Sequence, residues 1–247
     1  MDSALYVVMS GAKENLLSQS VRANNLANVS TTGFRSDFAQ ARSMPVFGET
    51  FPSRVYAQTE NPGTNFNKGT LDRTGRSLDI AVIDEGFIAV QTPDGAEAYT
   101  LAGNLRIDEV GRLLAGNGLP VLGNGGTIEI PPEQVIEIGF DGTISVQEAS
   151  QGPEGITEVD RIKLVNPPLD AIVKGEDGLF RRIDGEAEPA AAEVQVVSGS
   201  LETSNVNPIA EFTEIVSLSR QFEMQIKLMN KVEENDESVA RVLQISS

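Results

Sequence analysis

The chain opens and closes on amphipathic helical stripes, and two such stripes at opposite ends of a sequence constrain the fold more than anything between them. From Leu5 to Leu26 the positions Met9, Ala12, Leu16, Gln19, Ala23 and Leu26 follow alternating three- and four-residue steps, the spacing of a coiled-coil seam. Val7, Val8, Leu17 and Val21 widen that surface beyond what one partner helix covers, which calls for more than one neighbour. At the far end Ile209, Phe212, Ile215, Val216, Phe222, Ile226, Met229, Val232, Val239, Val242 and Leu243 mark a longer helix. Pro208 fits its first turn and Asn207 its N-cap, while the polar run 233–238 predicts a frayed or bent point.

The first stripe ends in an unusual way. Ala23-Asn24-Asn25-Leu26-Ala27-Asn28-Val29-Ser30-Thr31-Thr32-Gly33-Phe34-Arg35 keeps its apolar face almost to the end while adding three asparagines, where one Gly or Asn cap would stop a simple surface helix. Asn24, Asn25 and Asn28 offer amide donors and acceptors, Gly33 can take a positive φ, and Phe34 follows as an apolar anchor. The asparagines either cap their own helix or bond across to another helix or subunit. Ser204 and Asn205, before the last helix, carry the same pair of readings.

Between the helices the character changes twice. Pro45, Pro52 and Pro62 with Gly48, Gly63, Gly69 and Gly75 are too closely spaced for a regular helix, so residues 36–76 read as an extended linker and loop region that crosses a surface or meets a partner. From Leu78 short β-like runs follow one another, at 78–83, 87–91, 99–101, 105–107, 113–114, 120–122, 127–130, 135–138, 143–146, 161–165, 178–183 and 193–197. They are punctuated by Asp94-Gly95, Asn117-Gly118, Asn124-Gly125-Gly126 and Asp141-Gly142, the residues of tight turns. This predicts an α+β protein in which long terminal helices pack as a coiled-coil-like pair and flank a β-rich sandwich or semi-open barrel. The segments are 1–35, a helix and corner; 36–76, the linker; 77–198, the β body; and 199–247, the second helical segment. The stretch 184–192 lacks large apolar residues and reads as an exit linker from the body.

Composition excludes much chemistry. The chain has no Cys and no His, which removes thiol chemistry, disulfides, Ser-His-Asp triads and the usual zinc sites. A net charge of −17 over 247 residues opposes approach to nucleic acid and to anionic membrane surfaces. No apolar run approaches the roughly 20 residues that cross a bilayer, and no charged leader precedes an apolar segment at the start, so membrane insertion and export by a cleaved leader are not expected. Asp79, Asp84 and Glu85 are expected on the wet face of a half-buried strand rather than in an acidic active site. Gly123-Asn124-Gly125-Gly126 lacks the Lys-Ser or Lys-Thr and the following helix of a phosphate loop, and reads as a turn.

Three motifs in order then resemble one family. Ala23 to Asn28 with Ser30-Thr31-Thr32-Gly33-Phe34 near the start, Leu78-Asp79-Ile80-Ala81-Val82 with Gly86 to Val90, Asp94-Gly95, Tyr99-Thr100 and Gly111-Arg112-Leu113 in the body, and Gly199-Ser200-Leu201-Glu202-Thr203-Ser204-Asn205-Val206-Asn207 before the last helix are similar to the flagellar axial proteins, the rod and hook components of the bacterial flagellum. The opening Met1-Asp2 with Tyr6 and Met9 to Ala12, the run Ala41 to Val46, and Phe222-Glu223-Met224-Gln225 most resemble the proximal-rod members of that family. The distal-rod members are the nearest rival.

The resemblance implies a structural subunit with no catalytic task and no cofactor. Its terminal helices would form the inner layer of a helical drive shaft around an export channel, its body would lie outside, and its partners would be copies of itself and other rod proteins. It further implies export by the flagellar type III apparatus without a cleaved leader, and assembly in the periplasmic part of the basal body. On that reading the subunit interface takes Leu5, Met9, Leu16, Ala23, Asn24, Asn25, Leu26, Asn28, Gly33, Phe34, Ser204, Asn205, Val206, Phe212, Ile215, Phe222, Ile226, Met229 and Leu243. The helical ends are expected to be largely disordered in the monomer and to fold against each other and their neighbours. From a different class, a β-rich binding module on a coiled-coil stalk also fits the charge and the strands, but it gives the two asparagine-bearing segments nothing to do.

Overall fold

The computed structural model describes residues 2–46, 54–131, 134–148 and 156–245. The chain divides into two compact units, one of Met1–Val29, Ser36–Phe66 and Val206–Ser247, the other of Ser30–Arg35 and Asn67–Asn205.

The first unit contains helix α1 (Asp2–Ala27), strands β1 (Asp37–Val46) and β2 (Arg54–Thr64), and helix α2 (Pro208–Ile245). The helices pack together and run antiparallel, as the polar pairs along their seam show. Asn15 Nδ2 donates to Gln225 Oε1 at 3.1 Å, Gln19 Nε2 to Ser219 Oγ at 3.0 Å, and Arg22 Nη1 to Glu211 Oε1 at 3.1 Å. Gln19, the polar interruption of the first stripe, thus meets a polar partner. Asn207 caps α2, its Oδ1 accepting the N–H groups of Ile209 and Ala210 at 3.1 and 3.3 Å. The polar run 233–238 does not break α2. Ion pairs Lys231–Glu234 and Arg241–Glu237, spaced three and four residues apart, lie along that part of the helix, and Ser238 Oγ donates to the Glu234 carbonyl.

Within the stretch read as a linker, β1 and β2 form a long antiparallel ribbon, from Asp37 opposite Thr64 to Val46 opposite Arg54. Its prolines are tolerated because a two-stranded ribbon has a free edge on each strand, where a missing N–H breaks no ladder. Pro45 pairs with Val55, and Pro62 falls where the register shifts between Phe38 and Gln40. A lone ribbon is marginal in water, and this one packs against α1.

The second unit carries the remaining strands: β3 (Leu71–Arg73), β4 (Ile80–Val82), β5 (Phe87–Gln91), β6 (Glu97–Thr100), β7 (Arg106–Ile107), β8 (Leu113–Leu114), β9 (Leu122–Gly123), β10 (Gly126–Thr127), β11 (Gln134–Ile138), β12 (Thr143–Glu148), β13 (Ile156–Arg161), β14 (Leu164–Val165), β15 (Ile172–Lys174), β16 (Phe180–Arg182), β17 (Val196–Ser198) and β18 (Ser200–Glu202). The largest sheet has the order β14-β5-β6-β16-β15, and β11-β12-β13 form a second. Tyr99, Phe180, Ile80, Ile88, Leu105, Leu113, Ile128, Ile144 and Ile162 are fully buried, with Phe87 tilted against Phe180 at 5.1 Å between ring centres. The first and last strands zip together, β3 with β18 and β4 with β17.

Aspartates organise the turns. Asp108 accepts the N–H groups of Val110 and Arg112, and the bond from Arg112 leads in holding its carboxyl below the ordinary carboxylate range. Asp141 and Asp177 are lowered in the same direction, first by the Thr143 hydroxyl and by the Arg181 guanidinium respectively. The stretch 184–192, expected as a loose exit, is fastened to the body. Arg182 pairs with Asp184 and Glu188, the Glu188 N–H donates to Tyr99 Oη at 3.0 Å, and the Ala191 N–H to the Leu164 carbonyl at 2.8 Å. Burial, reinforced by the charge of Glu97, pushes the Tyr99 hydroxyl up to about 12.

Candidate subunit-interface surfaces and the chain junctions

The residues expected at an interface fall into two groups. On α1, Leu5, Met9 and Leu16 are 40, 50 and 49% exposed, and on α2, Phe212 and Ile226 are 60 and 37% exposed. Ala23 and Asn24 are exposed as well, while Leu26, Ile215, Phe222 and Met229 are half-buried. The side chain of Leu243 lies outside the described residues. Tyr6, Ile209, Met224 and Leu228 join the exposed apolar set. Phe212, Val216 and Met224 line a shallow trough along α2 with Arg220 among them, so the helix presents an apolar face that no described residue of its own unit fills. Large apolar side chains repeating along two adjacent helices are what a further helix would cover.

The second group is consumed inside the chain. Asn25 is fully buried, and its amide behaves as a strand neighbour: Oδ1 accepts the Asp37 N–H and Nδ2 donates to the Asp37 carbonyl, both at 2.9 Å. The same Nδ2 reaches Glu211 Oε1 at 3.3 Å, where Arg22 also binds. One asparagine therefore ties the end of α1 to the start of β1 and to the first turn of α2. Asn28 caps its own helix, with its N–H and its Nδ2 both donating to the Asn24 carbonyl, at 3.1 and 3.0 Å.

Gly33, Phe34, Ser204 and Asn205 belong to a junction in the second unit. Gly33 has φ 67°, and a Cβ there would sit 2.3 Å from the Leu101 carbonyl oxygen, so both the backbone angle and the space require glycine. Its N–H donates to the Glu202 carbonyl at 2.8 Å. Arg35 Nη1 binds Glu202 Oε1 at 2.6 Å with both side chains buried, and the same oxygen accepts the Gly69 N–H at 2.7 Å. Lys174 Nζ donates to the Arg35 carbonyl at 2.7 Å and lies 4.0 Å from the centre of the Phe34 ring. Asn205 closes the knot, its N–H on the Phe34 carbonyl at 3.3 Å and its Nδ2 on the Asn67 carbonyl at 2.7 Å. Ser204 is buried here, and Val206, the first residue back in the other unit, is buried too.

Arg22, Arg35, Asp37, Glu202 and Glu211 carry these junctions and were not singled out from sequence. Arg35 and Glu202 sit inside the two asparagine-bearing segments, yet 167 residues separate them and no local pattern pairs them. Asp79, expected on a wet face, is instead buried, because its carboxylate takes Arg76 Nη1 at 3.3 Å and its carbonyl takes the Gly199 N–H at 2.7 Å. Asp84 and Glu85 are exposed. Among the described residues no group of three or more carboxylates is gathered to hold a metal ion, and no helix is long and apolar enough to cross a membrane.

Comparison with known proteins follows the same three segments. Residues 5–35 match the family model described as flagella basal body rod protein, residues 81–146 the flagellar hook protein FlgE/F/G D1 domain, and residues 197–242 the flagellar basal body rod FlgEFG protein C-terminal. The chain is 38% identical to the flagellar basal-body rod protein FlgF of Salmonella typhimurium and 37% identical to that of Escherichia coli, covering 100% of both chains in each case. It is 32% identical to the rod protein FlgG of Bacillus subtilis, over 94% of this chain and 95% of that one.

Proposed function

Because the chain belongs to the flagellar basal-body rod protein family and is a structural protein of the rod, we propose that it is a proximal-rod subunit whose terminal helices polymerise into the inner layer of the drive shaft. The observation that carries this reading is the apolar face left open on α1 and α2. Leu5, Met9, Leu16, Phe212 and Ile226 are too large and too regularly placed to be incidental surface, and neighbouring helices from copies of this chain and from other rod proteins would cover them. Helices packed to interior density transmit strain, which suits a shaft that carries torque. On the same reading the segments 1–35 and 199–247 are the axial parts, 77–198 the outer body, and 36–76 a connection that packs beside the axial helices. The subunit does its work without catalysis, reaches the periplasm through the flagellar type III apparatus, and surrounds the channel through which later subunits pass.

The test is site-directed crosslinking in assembled basal bodies, with cysteines introduced singly at Leu16 and Phe212. The rod reading expects staggered crosslinks between different copies and to other rod proteins, together with loss of swimming when both positions are made polar. A closed oligomer joined only by in-register contacts between equivalent helices would favour the stalked binding module instead. Intact rods and normal motility in a strain lacking the chain would overturn the proposal.

A further inference from the structure

The sequence contains two Asn-Gly dipeptides, Asn117-Gly118 and Asn124-Gly125, in turns of the second unit, and the structure treats their backbones differently. Asn-Gly is the pair most open to intramolecular attack, because glycine places no side chain between its own nitrogen and the preceding amide carbon. Whether the attack proceeds depends on that nitrogen. In the turn at Asn117 the Gly118 N–H is bonded to the Ala115 carbonyl at 2.8 Å, and the Asn117 Oδ1 is held by the Leu119 N–H at 3.2 Å. The Asp-Gly turns share this protection: Gly95, Gly142, Gly178 and Gly185 donate to the carbonyls of Thr92, Gly139, Gly175 and Arg182.

Asn124-Gly125 is built otherwise. It is the two-residue connection between β9 and β10, with Gly123 opposite Gly126, and both Asn124 and Gly125 are exposed. Among the described residues the Gly125 N–H has no hydrogen-bond partner, and a Cβ built on Gly125 would meet no atom within 4 Å. Among the described residues the Asn124 side chain makes no hydrogen bond, while its backbone N–H is engaged by Asp160 Oδ1 at 3.3 Å. Neither reacting group is therefore restrained.

We propose that Asn124 is a site of spontaneous deamidation in the folded protein, with the Gly125 backbone nitrogen as nucleophile. The nitrogen bonds to Asn124 Cγ, the Cγ–Nδ2 bond breaks, and Nδ2 leaves as ammonia with the proton released from Gly125, giving a five-membered succinimide. Water then opens the ring at one carbonyl or the other and yields aspartate or isoaspartate. Each product places a carboxylate beside Asp160, whose side chain already lies against Gly123, and isoaspartate also inserts a backbone carbon into a two-residue turn. Both changes weaken the β9–β10 pairing.

Ageing the full-length protein in mildly alkaline buffer, followed by peptide mapping with fragmentation that separates aspartate from isoaspartate, tests this. Conversion at Asn124 severalfold faster than at Asn117 is expected, with the two rates converging in urea, where no turn protects either site. Asn124→Gln abolishes the faster phase and Asn117→Gln leaves it intact. Equal rates at the two sites in the folded protein, or an unchanged Asn124 beside a reactive urea control, would overturn the proposal.

Discussion

In the unit of Ser30–Arg35 and Asn67–Asn205, aromatic and branched side chains from strand after strand are fully buried; in the unit holding the two long helices, the described apolar side chains that are buried are Ala12 and Val206. The first has a core of its own. The second is held by specific polar bonds, Asn15 to Gln225, Gln19 to Ser219, and Arg22 and Asn25 to Glu211, while Leu5, Met9, Leu16, Phe212 and Ile226 face outward and Leu26, Ile215, Phe222 and Met229 are only half-buried. Directional bonds fix which way two helices run and in what register, and they add little net stability. The helical unit is thus specified before it is stabilised, and its missing burial is what a polymer would supply.

Breaking the buried charges of the body tests the contrast most severely. Glu202→Ala leaves Arg35 charged and buried and takes an acceptor from Gly69, so a loss of about 3–5 kcal/mol is expected in urea unfolding followed by near-ultraviolet signals from the body tyrosine. Phe180→Ala should cost a similar about 3–5 kcal/mol by emptying the core between the sheet strands. A change of less than about 1 kcal/mol in either would mean that the body is less tightly packed than its burial implies.

Alkaline titration is next in size. The Tyr99 hydroxyl is held protonated above its ordinary value, so its contribution is complete below pH 10 and is lost as pH rises through about 12. Wild type should lose body stability across that window and Tyr99→Phe should lose less. At the acid end the sign reverses. The lowered carboxyls of Asp108, Asp141 and Asp177 stabilise the fold above their unfolded value of 3.8, and that support falls away as pH drops through their folded values. Removing the cap with Asn207→Ala should cost about 1 kcal/mol of helical stability, read by circular dichroism. The smallest effect is the most informative. Phe212→Ala should change the stability of the isolated chain by no more than about 0.5 kcal/mol yet abolish rod assembly, and a large loss in the isolated chain would show that the face is already covered.

Much of this was legible in the sequence for a physical reason. Strands such as β6, β12 and β16 announce themselves because each follows an Asp-Gly turn, and the helices because their stripes keep a steady period. The ribbon 37–64 did not, since Pro45 and Pro62 argue against a strand in any sheet with neighbours on both sides, and only the pairing shows that each strand here has a free edge. Among the interface candidates, period finds the helical stripes but does not divide Leu5, Met9 and Leu16, which are exposed, from Leu26, Phe222 and Met229, which are half-buried. Nor does it find the junctions: Asn25 looked like one of three equivalent asparagines, and its bonds to Asp37 and Glu211 separate it from Asn28, which caps its own helix.

The Arg35–Glu202 bond has a consequence in time. A chain that leaves a ribosome, or threads a channel, one end first presents Arg35 long before Glu202, and β3 and β4 long before β18 and β17. The body cannot close from either end alone, and bringing together residues so far apart in sequence makes closure slow relative to local helix formation. Until both ends have emerged, such a chain lacks the long-range pairs that make its body rigid.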